Sequence, residues 1–281
     1  MNLFAVCGHF NFNSLAGVSK KNVMQKKTIV ITGSTRGIGF GLACEFLKSG
    51  HQVVINGRDP ERVARAVAKL KDSYSDDVAG VTGSVDDPST HEKLIDKAKN
   101  IFGKIDIWIN NAGLPQQHCK FSEIEIENIK NVLEINIFGL MLGTRAAIRF
   151  MDEQGFGKIF NMEGFGSNGR MMDKLTLYGT TKRAVNYFTQ SVSKEIEDTK
   201  VQIGILSPGM VRTDFLNNAT DARSPEEAKR FKKVYDILAE DAEIVTEFLA
   251  AKILKSTKNY DRIEFLTKGK LMVRIAKMMF T

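Results

Sequence analysis

Near the start of the chain runs Thr32-Gly33-Ser34-Thr35-Arg36-Gly37-Ile38-Gly39. It follows the apolar run Thr28-Ile29-Val30-Ile31, which predicts a buried strand, and it opens an amphipathic segment over residues 40–48 that predicts a helix. Three glycines at this junction allow a tight turn and let a pyrophosphate approach the amides at the helix N-terminus. We therefore expect a dinucleotide-binding loop made by Gly33, Ser34, Thr35, Arg36, Gly37, Ile38 and Gly39.

Apolar, β-branched runs recur along the chain, and helical patterns such as residues 60–70 and 91–102 separate most of them. The runs that predict strands are residues 28–32, 52–56, 78–82, 105–110, 158–162, 201–206 and 263–266. This alternation predicts a single doubly wound α/β domain, with about seven parallel strands and helices on both faces of the sheet. A ligand is then expected outside the C-terminal ends of the strands, beside the first of them.

The charge distribution argues against a nucleic-acid partner. The chain has 281 residues and a formal net charge of +7, but residues 1–27 hold four lysines and no acid. Residues 252–281 hold eight Lys/Arg against two acids, which leaves the body between the two ends at about −3. A basic nucleic-acid-binding face is therefore not expected. No window approaches the roughly 20 apolar residues that a membrane-spanning helix needs.

The cysteines bear on the compartment. Cys7, Cys44 and Cys119 are odd in number, widely spaced and follow no metal-ligand pattern. They predict reduced thiols in an intracellular compartment and no metal site.

Residues 1–24 lie outside the strand and helix pattern, which assigns residues 25–267 to the folded domain and residues 268–281 to a basic C-terminal helix. The first segment is acid-free, and a chain starting at Met24 would begin just before the first strand. Three interpretations stay open: a disordered tail, an overextended gene start or a targeting peptide. The expected location is the cytoplasm, or a plastid if the segment is a targeting peptide.

A second motif, Tyr178-Gly179-Thr180-Thr181-Lys182, places a phenol and an ammonium four residues apart on one helix face. A free tyrosine has a pKa of about 10, and a nearby ammonium, together with the positive charge of an oxidised nicotinamide, stabilises the phenolate and lowers that pKa. Such pairs also arise by chance. Downstream of a dinucleotide loop, this pair predicts that Tyr178 protonates a carbonyl oxygen as hydride arrives, with Lys182 beside it, and both residues are also expected to contact the cofactor.

The residues around the predicted adenosine ribose favour one form of the cofactor. An acid that holds the ribose hydroxyls of NAD usually stands about 20 positions beyond the glycine loop. Arg58 stands near that place instead, and Arg36 lies within the loop itself. Two cations match a 2′-phosphate, so we expect NADP(H). The alternative is that both are solvated surface arginines.

Two further strand ends are candidate cofactor contacts. Asn110-Asn111-Ala112-Gly113 begins at the last residue of the fourth predicted strand, and Ser207-Pro208-Gly209 follows the sixth. Thr213 stands where it could cap a helix or bond the nicotinamide carboxamide. Taken alone, the first of these segments is an ordinary turn. Their place after the glycine loop and at successive strand ends makes these segments candidate contacts of the cofactor. The residues expected to contact it are Asn111, Ala112, Gly113, Pro208, Gly209 and Thr213.

Several motifs occur in the same order along this chain as in the short-chain dehydrogenase/reductase family, and the resemblance covers roughly residues 27–267. The motifs are Thr32–Gly39, Asn110–Gly113, Asn136, Tyr178 with Lys182, and Ser207–Gly209. The resemblance implies a single Rossmann-type domain, reversible carbonyl/alcohol interconversion and a tetrad of Asn, Ser, Tyr and Lys. Asn136 matches the helix asparagine of the family, which implies that it holds a water in a proton relay to Lys182. Without the family, Asn136 is a polar residue in a helix contact.

The serine of the tetrad is where the chain departs from the family. The usual Asn-x-Ser-Ser is replaced by Asn161-Met162-Glu163-Gly164-Phe165-Gly166-Ser167. Ser167, 11 residues before Tyr178, is the candidate that brings a hydroxyl to the site. The alternative, Glu163 near the carbonyl, would repel a developing alkoxide.

This departure is similar to the chlorophyll b reductase branch of the family, which has an Asn-x-acid-Gly-x-Gly-Ser segment and a similar Tyr-Gly-x-Thr-Lys. The likeness implies NADPH reduction of the C7 formyl group of chlorophyll b to a hydroxymethyl group. Two alternatives stay open: reduction of another apolar carbonyl substrate, and a non-catalytic NADP-binding sensor.

Two apolar stripes suggest partners. Leu271, Ile275, Met278 and Met279 line one side of the basic C-terminal helix, which predicts either contact with a membrane interface or a lid over the substrate. Residues 122–149 and 178–197 predict long helices, the second with Val185, Phe188, Val192 and Ile196 on one stripe. The family implies a homodimer or homotetramer through such helices, whereas core packing explains the same stripe.

Overall fold

The computed structural model describes residues 25–74, 76–213 and 225–279. Its strands are β1 (Thr28–Ile31), β2 (Gln52–Gly57), β3 (Val78–Thr82), β4 (Ile107–Asn110), β5 (Gly157–Met162), β6 (Val201–Ser207), β7 (Met210–Arg212), β8 (Ala239–Asp241) and β9 (Asp261–Glu264). Seven of them form one parallel sheet in the order β3-β2-β1-β4-β5-β6-β9. The predicted doubly wound α/β fold is confirmed, and each predicted strand lies within two residues of its observed bounds.

Helices connect the strands. They are α1 (Gly37–Lys48), α2 (Pro60–Tyr74), α3 (Pro88–Phe102), α4 (Ile126–Leu133), α5 (Leu140–Gln154), α6 (Thr176–Glu195), α7 (Pro225–Leu238), α8 (Ala242–Lys255) and α9 (Lys268–Met279). A π-helical segment, Glu134–Gly139, joins α4 to α5. The helix expected over residues 122–149 therefore changes its hydrogen-bond pattern in the middle. Short π-helical insertions of this kind are frequent at functional sites.

The core has two layers because successive side chains of a strand point to opposite faces of the sheet. On β1, Ile29 and Ile31 pack in one layer with Phe46 of α1. Val30 packs in the other layer, which also holds Val192 of α6 and Ile196, the residue directly after α6. The apolar stripe of α6 is thus used inside the chain, and it carries no independent argument for an oligomer.

The sequence analysis missed a second, two-stranded sheet formed by β7 and β8. Arg212 of β7 pairs with Asp241 of β8 at 3.0 Å. Each strand has three residues, which is too short for an alternating pattern to stand out. The pairing ties the end of α7 to the segment that leaves β6, beside the predicted cofactor site.

The C-terminal helix α9 packs against α7, and its Lys270 reaches Phe248 of α8. The ammonium of Lys270 stands 4.9 Å from the ring centroid of Phe248 and 4.3 Å from that of Phe265. Arg274 donates to the Leu238 carbonyl at 2.9 Å and pairs with Glu240. Two cations of the predicted basic helix are therefore engaged with the domain, while Met272 and Val273 are exposed.

Two predictions fall on parts of the chain beyond this description. The side chains of Ile275, Met278 and Met279 lie outside the described residues, as does the segment 1–24. Among the helices that are described, none is both long and apolar enough to cross a membrane.

Candidate active site

The glycine loop after β1 needs its glycines. Gly33 has φ +58° and Gly37 has φ +59°, both in the left-handed region. A Cβ at Gly33 would lie 2.7 Å from the Cα of Ala112, and one at Gly39 would lie 2.8 Å from the Gly33 carbonyl oxygen. The backbone of the loop therefore packs directly on the turn that follows β4.

The loop leaves the N-terminus of α1 suited to an anion. Helix α1 begins at Gly37, and the N-cap residue is Arg36, whose guanidinium has no acceptor atom to cap the first amides. The first turn contains no acidic residue. Amides at such a helix end bind phosphate, so this loop fits the pyrophosphate of a dinucleotide.

Asn111 and Thr32 hold the two loops together. The Asn111 side-chain amide donates to the carbonyls of Thr32 at 3.0 Å and Gly33 at 2.8 Å. In return, the Thr32 hydroxyl accepts from the amides of Asn111 and Ala112. These bonds fix Ala112 and Gly113 beside the glycine loop, as expected of residues that line a cofactor.

Ser34 shapes the loop from within. Its hydroxyl donates to the Ile31 carbonyl at 2.6 Å and accepts from the Asn56 amide at 2.9 Å. The Ser34 amide donates to the Asn56 carbonyl at 2.8 Å. Ser34 therefore links the ends of β1 and β2, and its predicted cofactor contact stays a prediction.

Arg36 and Arg58 are both exposed at the ends of β1 and β2, where the adenosine ribose is expected. The nearby acid, Asp59, accepts from the amides of Glu61 at 2.9 Å and Arg62 at 3.1 Å at the start of α2. The bond from the Arg62 amide is the main reason that the pKa of Asp59 lies below its usual range. This carboxylate is thus occupied as a helix cap.

The segment after β6 closes the other side of the loop. Gly209 has φ +77°, and a Cβ there would lie 2.9 Å from the Cβ of Leu266. The Thr213 methyl stands 3.7 Å from a Cβ built at Gly37. Thr213 therefore borders the glycine loop, the predicted cofactor contacts of Pro208 and Gly209 stay predictions, and any helix that Thr213 caps lies outside the described residues.

Tyr178 and Lys182 lie on the first turns of α6, with the Lys182 ammonium 5.7 Å from the centroid of the Tyr178 ring. Lys182 is buried and donates to the Met162 carbonyl at 3.1 Å. Burial raises the pKa of the Tyr178 phenol above its ordinary value. The direction is opposite to the lowering expected from the ammonium, and burial is its cause. Burial also lowers the pKa of Lys182 to about 8, against the opposing charge of Glu163.

Gln116 holds the start of α6, a role that the sequence analysis missed. Its side-chain oxygen accepts from the Tyr178 amide at 2.6 Å, and its nitrogen donates to the Lys174 carbonyl at 2.8 Å. Lys174 has φ +59° and pairs with Glu227 of α7 at 2.5 Å. Gln116 thus caps the helix that carries Tyr178, from a loop 62 residues away.

Asn136 lies in the π-helical segment, buried beside the same site. Its side chain accepts from the Leu114 amide at 2.7 Å and donates to the Leu114 carbonyl at 2.9 Å and the Thr181 hydroxyl at 3.2 Å. A Cβ at Gly113 would lie 3.4 Å from the Asn136 oxygen and 3.8 Å from the Lys182 ammonium. Asn136 and Lys182 are therefore neighbours, and the predicted water relay stays a prediction.

Gly164, Ser167 and Glu163 lie in the segment where the family has its serine, and their side chains have different surroundings. The position that faces the Tyr178 hydroxyl is Gly164, since a Cβ built there would lie 2.3 Å from that oxygen. The Ser167 hydroxyl donates to the Glu163 carboxylate at 3.1 Å. Glu163 itself is turned inward and pairs with Arg262 at 2.8 Å. The alternative that Glu163 stands near the carbonyl receives no support from this geometry.

Gly164→Ala is expected to lower turnover at least about tenfold while cofactor binding is kept, because the methyl group displaces the Tyr178 hydroxyl from its position. The matched control is Gly179→Ala, where a Cβ has only ordinary contacts, the nearest at 3.9 Å. Steady-state kinetics and NADPH titration of both variants make the test. Equal turnover of the two variants would contradict the assigned position of the hydroxyl.

A buried polar network supports this edge of the sheet. Asn110 accepts from the Trp108 indole at 2.8 Å and donates to Thr144 and to Asn161. Asn161 donates in turn to Thr189 of α6 at 2.9 Å. The network joins β4, β5, α5 and α6, and it explains why asparagines stand in these strands. Such satisfied buried networks keep neighbouring elements in fixed register.

A glycine loop at a helix N-terminus, with a Tyr–Lys pair across the adjacent strand ends, defines an oxidoreductase that uses a nicotinamide dinucleotide. The sequence pattern of the short chain dehydrogenase family matches residues 27–224. The chain belongs to this family.

Its relatives include two chloroplastic chlorophyll(ide) b reductases. The Arabidopsis thaliana protein is 41% identical over 230 residues, covering 80% of this chain and 64% of the relative. The Oryza sativa protein is 39% identical over 270 residues, covering 92% of this chain and 77% of the relative. The chain therefore spans just under two thirds of the Arabidopsis protein. The resemblance to this branch of the family is confirmed.

Solved structures share the fold with either form of the cofactor. The 3-ketoacyl-(acyl-carrier-protein) reductase from Brucella melitensis, in complex with NADH, superposes with a TM-score of 0.74 at 25% identity, covering 85% of this chain and 96% of its own. A serine dehydrogenase in complex with NADP+ gives a TM-score of 0.71 at 26% identity, covering 85% and 94%. The fold alone therefore does not select between the two cofactors.

Proposed function

We propose that this chain is an NADPH-dependent carbonyl reductase whose substrate is the formyl group of chlorophyll b. The observation that carries the proposal is the pairing of Tyr178 and Lys182 beside the glycine loop, in a chain related to chlorophyll(ide) b reductases. The product would be the corresponding hydroxymethyl group.

When bound, the reduced nicotinamide supplies the hydride. The residues that would hold the dinucleotide are those of the glycine loop, Asn111 to Gly113, and Pro208, Gly209 and Thr213. Tyr178 would donate its proton to the carbonyl oxygen, and a pKa raised by burial keeps the phenol protonated at neutral pH. The Lys182 ammonium would stabilise the phenolate left after that transfer.

The surroundings of Tyr178 suit a large apolar substrate. Gly164 presents no side chain next to the phenol hydroxyl. Met171 and Met172, on the loop before α6, are 95% and 49% exposed. Methionine side chains adapt to irregular apolar surfaces, so this loop supports binding of a broad hydrophobic molecule.

Arg58→Gln is expected to raise the KM for NADPH about tenfold and to leave the KM for NADH nearly unchanged. The reason is that a charge-assisted hydrogen bond to the 2′-phosphate contributes roughly 1.5 kcal/mol or more. Arg62→Gln, which removes an exposed cation from the adjacent helix, is the control. Parallel losses with both cofactors, or equal effects of the two variants, would contradict the proposed NADPH preference.

The function itself is tested by following NADPH absorbance with purified protein and chlorophyll b in mild detergent, beside a panel of smaller aldehydes and ketones. Formation of the hydroxymethyl product supports the full proposal. Activity with the other carbonyls alone restricts the proposal to a carbonyl reductase of a different apolar substrate. Binding of NADPH without turnover of any carbonyl favours the non-catalytic sensor.

The partner and location proposals rest on exposed surfaces and on the relatives. Leu133, Phe138 and Tyr187 are exposed on neighbouring helical segments, which supports a homodimer or homotetramer through this face. Met272 and Val273 on α9 support peripheral contact with a membrane. The relatives' location supports a plastid. Light scattering measures the oligomeric state, and vesicle flotation measures the membrane contact.

A further inference from the structure

Glu163 is a buried carboxylate with a full set of partners from three parts of the chain. Its side chain has no exposed surface and pairs with Arg262 of β9 at 2.8 Å. Asn186 of α6 donates to it at 2.6 Å and Ser167 at 3.1 Å. Burying a carboxylate is costly unless it is paired and hydrogen-bonded. This arrangement meets that condition without using a group from the proposed reaction.

The residues on either side of Glu163 contact Lys182. Lys182 donates to the carbonyl of Met162, immediately before Glu163, at 3.1 Å. The Lys182 Cε lies 3.3 Å from a Cβ built at Gly164, immediately after Glu163. Asn186 follows Lys182 by one turn of α6, so the helix face that carries the ammonium also binds the carboxylate.

We propose that Glu163 is a positioning residue for Lys182. Its carboxylate fixes the end of β5 to α6 and β9, and it holds a negative charge behind the ammonium. The kinetic consequence rests on the proposed carbonyl reductase function, whereas the effect on Lys182 itself does not.

The charge of Glu163 and the burial of Lys182 have opposite effects on the pKa of Lys182. Burial lowers the pKa of Lys182, and the Glu163 carboxylate raises it. The other charged or titratable groups around the carboxylate are Arg262, Tyr260 and Arg183, with Glu264 beyond Arg262. A neutral side chain at position 163 would remove the negative charge that raises the pKa of Lys182 and would leave burial unopposed, so the ammonium would lose its proton more readily.

The decisive experiment measures the protonation of Lys182 directly. In protein that carries ¹³C-labelled lysine, the Cε–Hε signal of Lys182 is assigned with Lys182→Arg and titrated from about pH 6 to about pH 10. Glu163→Gln is expected to lower the pKa of Lys182 by about one unit. Glu163→Asp, which keeps the charge, should restore most of that loss. Glu264→Gln removes a carboxylate from the far side of Arg262 and should leave the Lys182 titration unchanged.

An unchanged Lys182 titration in folded Glu163→Gln would overturn the proposal. If that variant does not fold, Glu163→Gln combined with Arg262→Gln replaces the ion pair by two neutral amides, so that neither charge is left without its partner. A smaller fall in the Lys182 pKa is expected there, because the positive charge of Arg262 is lost together with the nearer negative charge of Glu163, and a Lys182 pKa that does not fall would overturn the proposal.

Kinetics then separate this inference from the proposed function. In an active enzyme, the alkaline limb of the pH profile of kcat should move to lower pH in Glu163→Gln. A purely structural role would lower activity at every pH without moving that limb. A wild-type protein that reduces no carbonyl would contradict the proposed function and leave the Lys182 titration as the test of Glu163.

Discussion

Tyr178→Phe is expected to lower kcat for carbonyl reduction about 10³-fold and to leave the Kd for NADPH within about threefold of wild type. The phenol hydroxyl is the proton donor in the proposed reaction, and the variant removes only that oxygen. The remaining ring keeps its place beside Lys182, so the helix and the cofactor loop are not disturbed. Single-turnover kinetics and NADPH fluorescence titration give the two quantities.

The matched control is Tyr187→Phe, which removes an exposed hydroxyl from the same helix, since Tyr187 is 73% exposed. It should have wild-type kinetics. Normal turnover by Tyr178→Phe would show that the assigned mechanism is wrong. A protein whose biological role survives this substitution would match the sensor alternative.

Lys182→Met is expected to abolish most activity and, at neutral pH, to raise the free energy of unfolding by about 2 kcal/mol. Burial lowers the pKa of Lys182 from 10.5 to about 8, and this difference corresponds to about 3 kcal/mol. The lost hydrogen bond to the Met162 carbonyl offsets about 1 kcal/mol of the gain. Methionine fills a similar volume without a charge.

The stability difference between Lys182→Met and the wild type depends on pH, because folding lowers the pKa of Lys182. The folded protein binds the Lys182 proton less tightly than the unfolded chain, so the cost of the buried charge is fully present below about pH 8. Wild-type stability recovers as the pH rises from about 8 toward 10.5, and the advantage of Lys182→Met should shrink over that range. Urea unfolding at several pH values measures both, with Lys194→Met, an exposed lysine of the same helix, as control. A variant less stable than wild type at neutral pH would contradict this account.

The parts of the fold that were predicted correctly are those with a local pattern. The strands around Ile31 and Ile55 are short apolar runs. The loop at Gly33 has three glycines at the spacing that is typical of a dinucleotide-binding turn. The pairs Glu163–Arg262 and Gln116–Tyr178 were not predicted, because their members lie 99 and 62 residues apart. Nothing in either local sequence marks them as partners.

The direction of the Tyr178 pKa was also beyond sequence reasoning. Spacing on a helix shows that Lys182 is near, and nearness alone predicts a lowered pKa. The degree of burial depends on residues from several elements, and it reverses the outcome. In the same way, the motif could suggest Ser167 as the missing hydroxyl, whereas only the folded chain shows that Gly164 faces the phenol.

The Gln116 amide has a consequence for attempts to change specificity. The Gln116 side chain connects the loop after β4 to the loop before α6, so the cofactor side and the substrate side of the site are held together by one pair of hydrogen bonds, which acts as a brace. Through Lys174 and Glu227 that brace continues into α7. A redesign that lengthens either loop would therefore also shift Tyr178, and the two loops have to be redesigned as one unit.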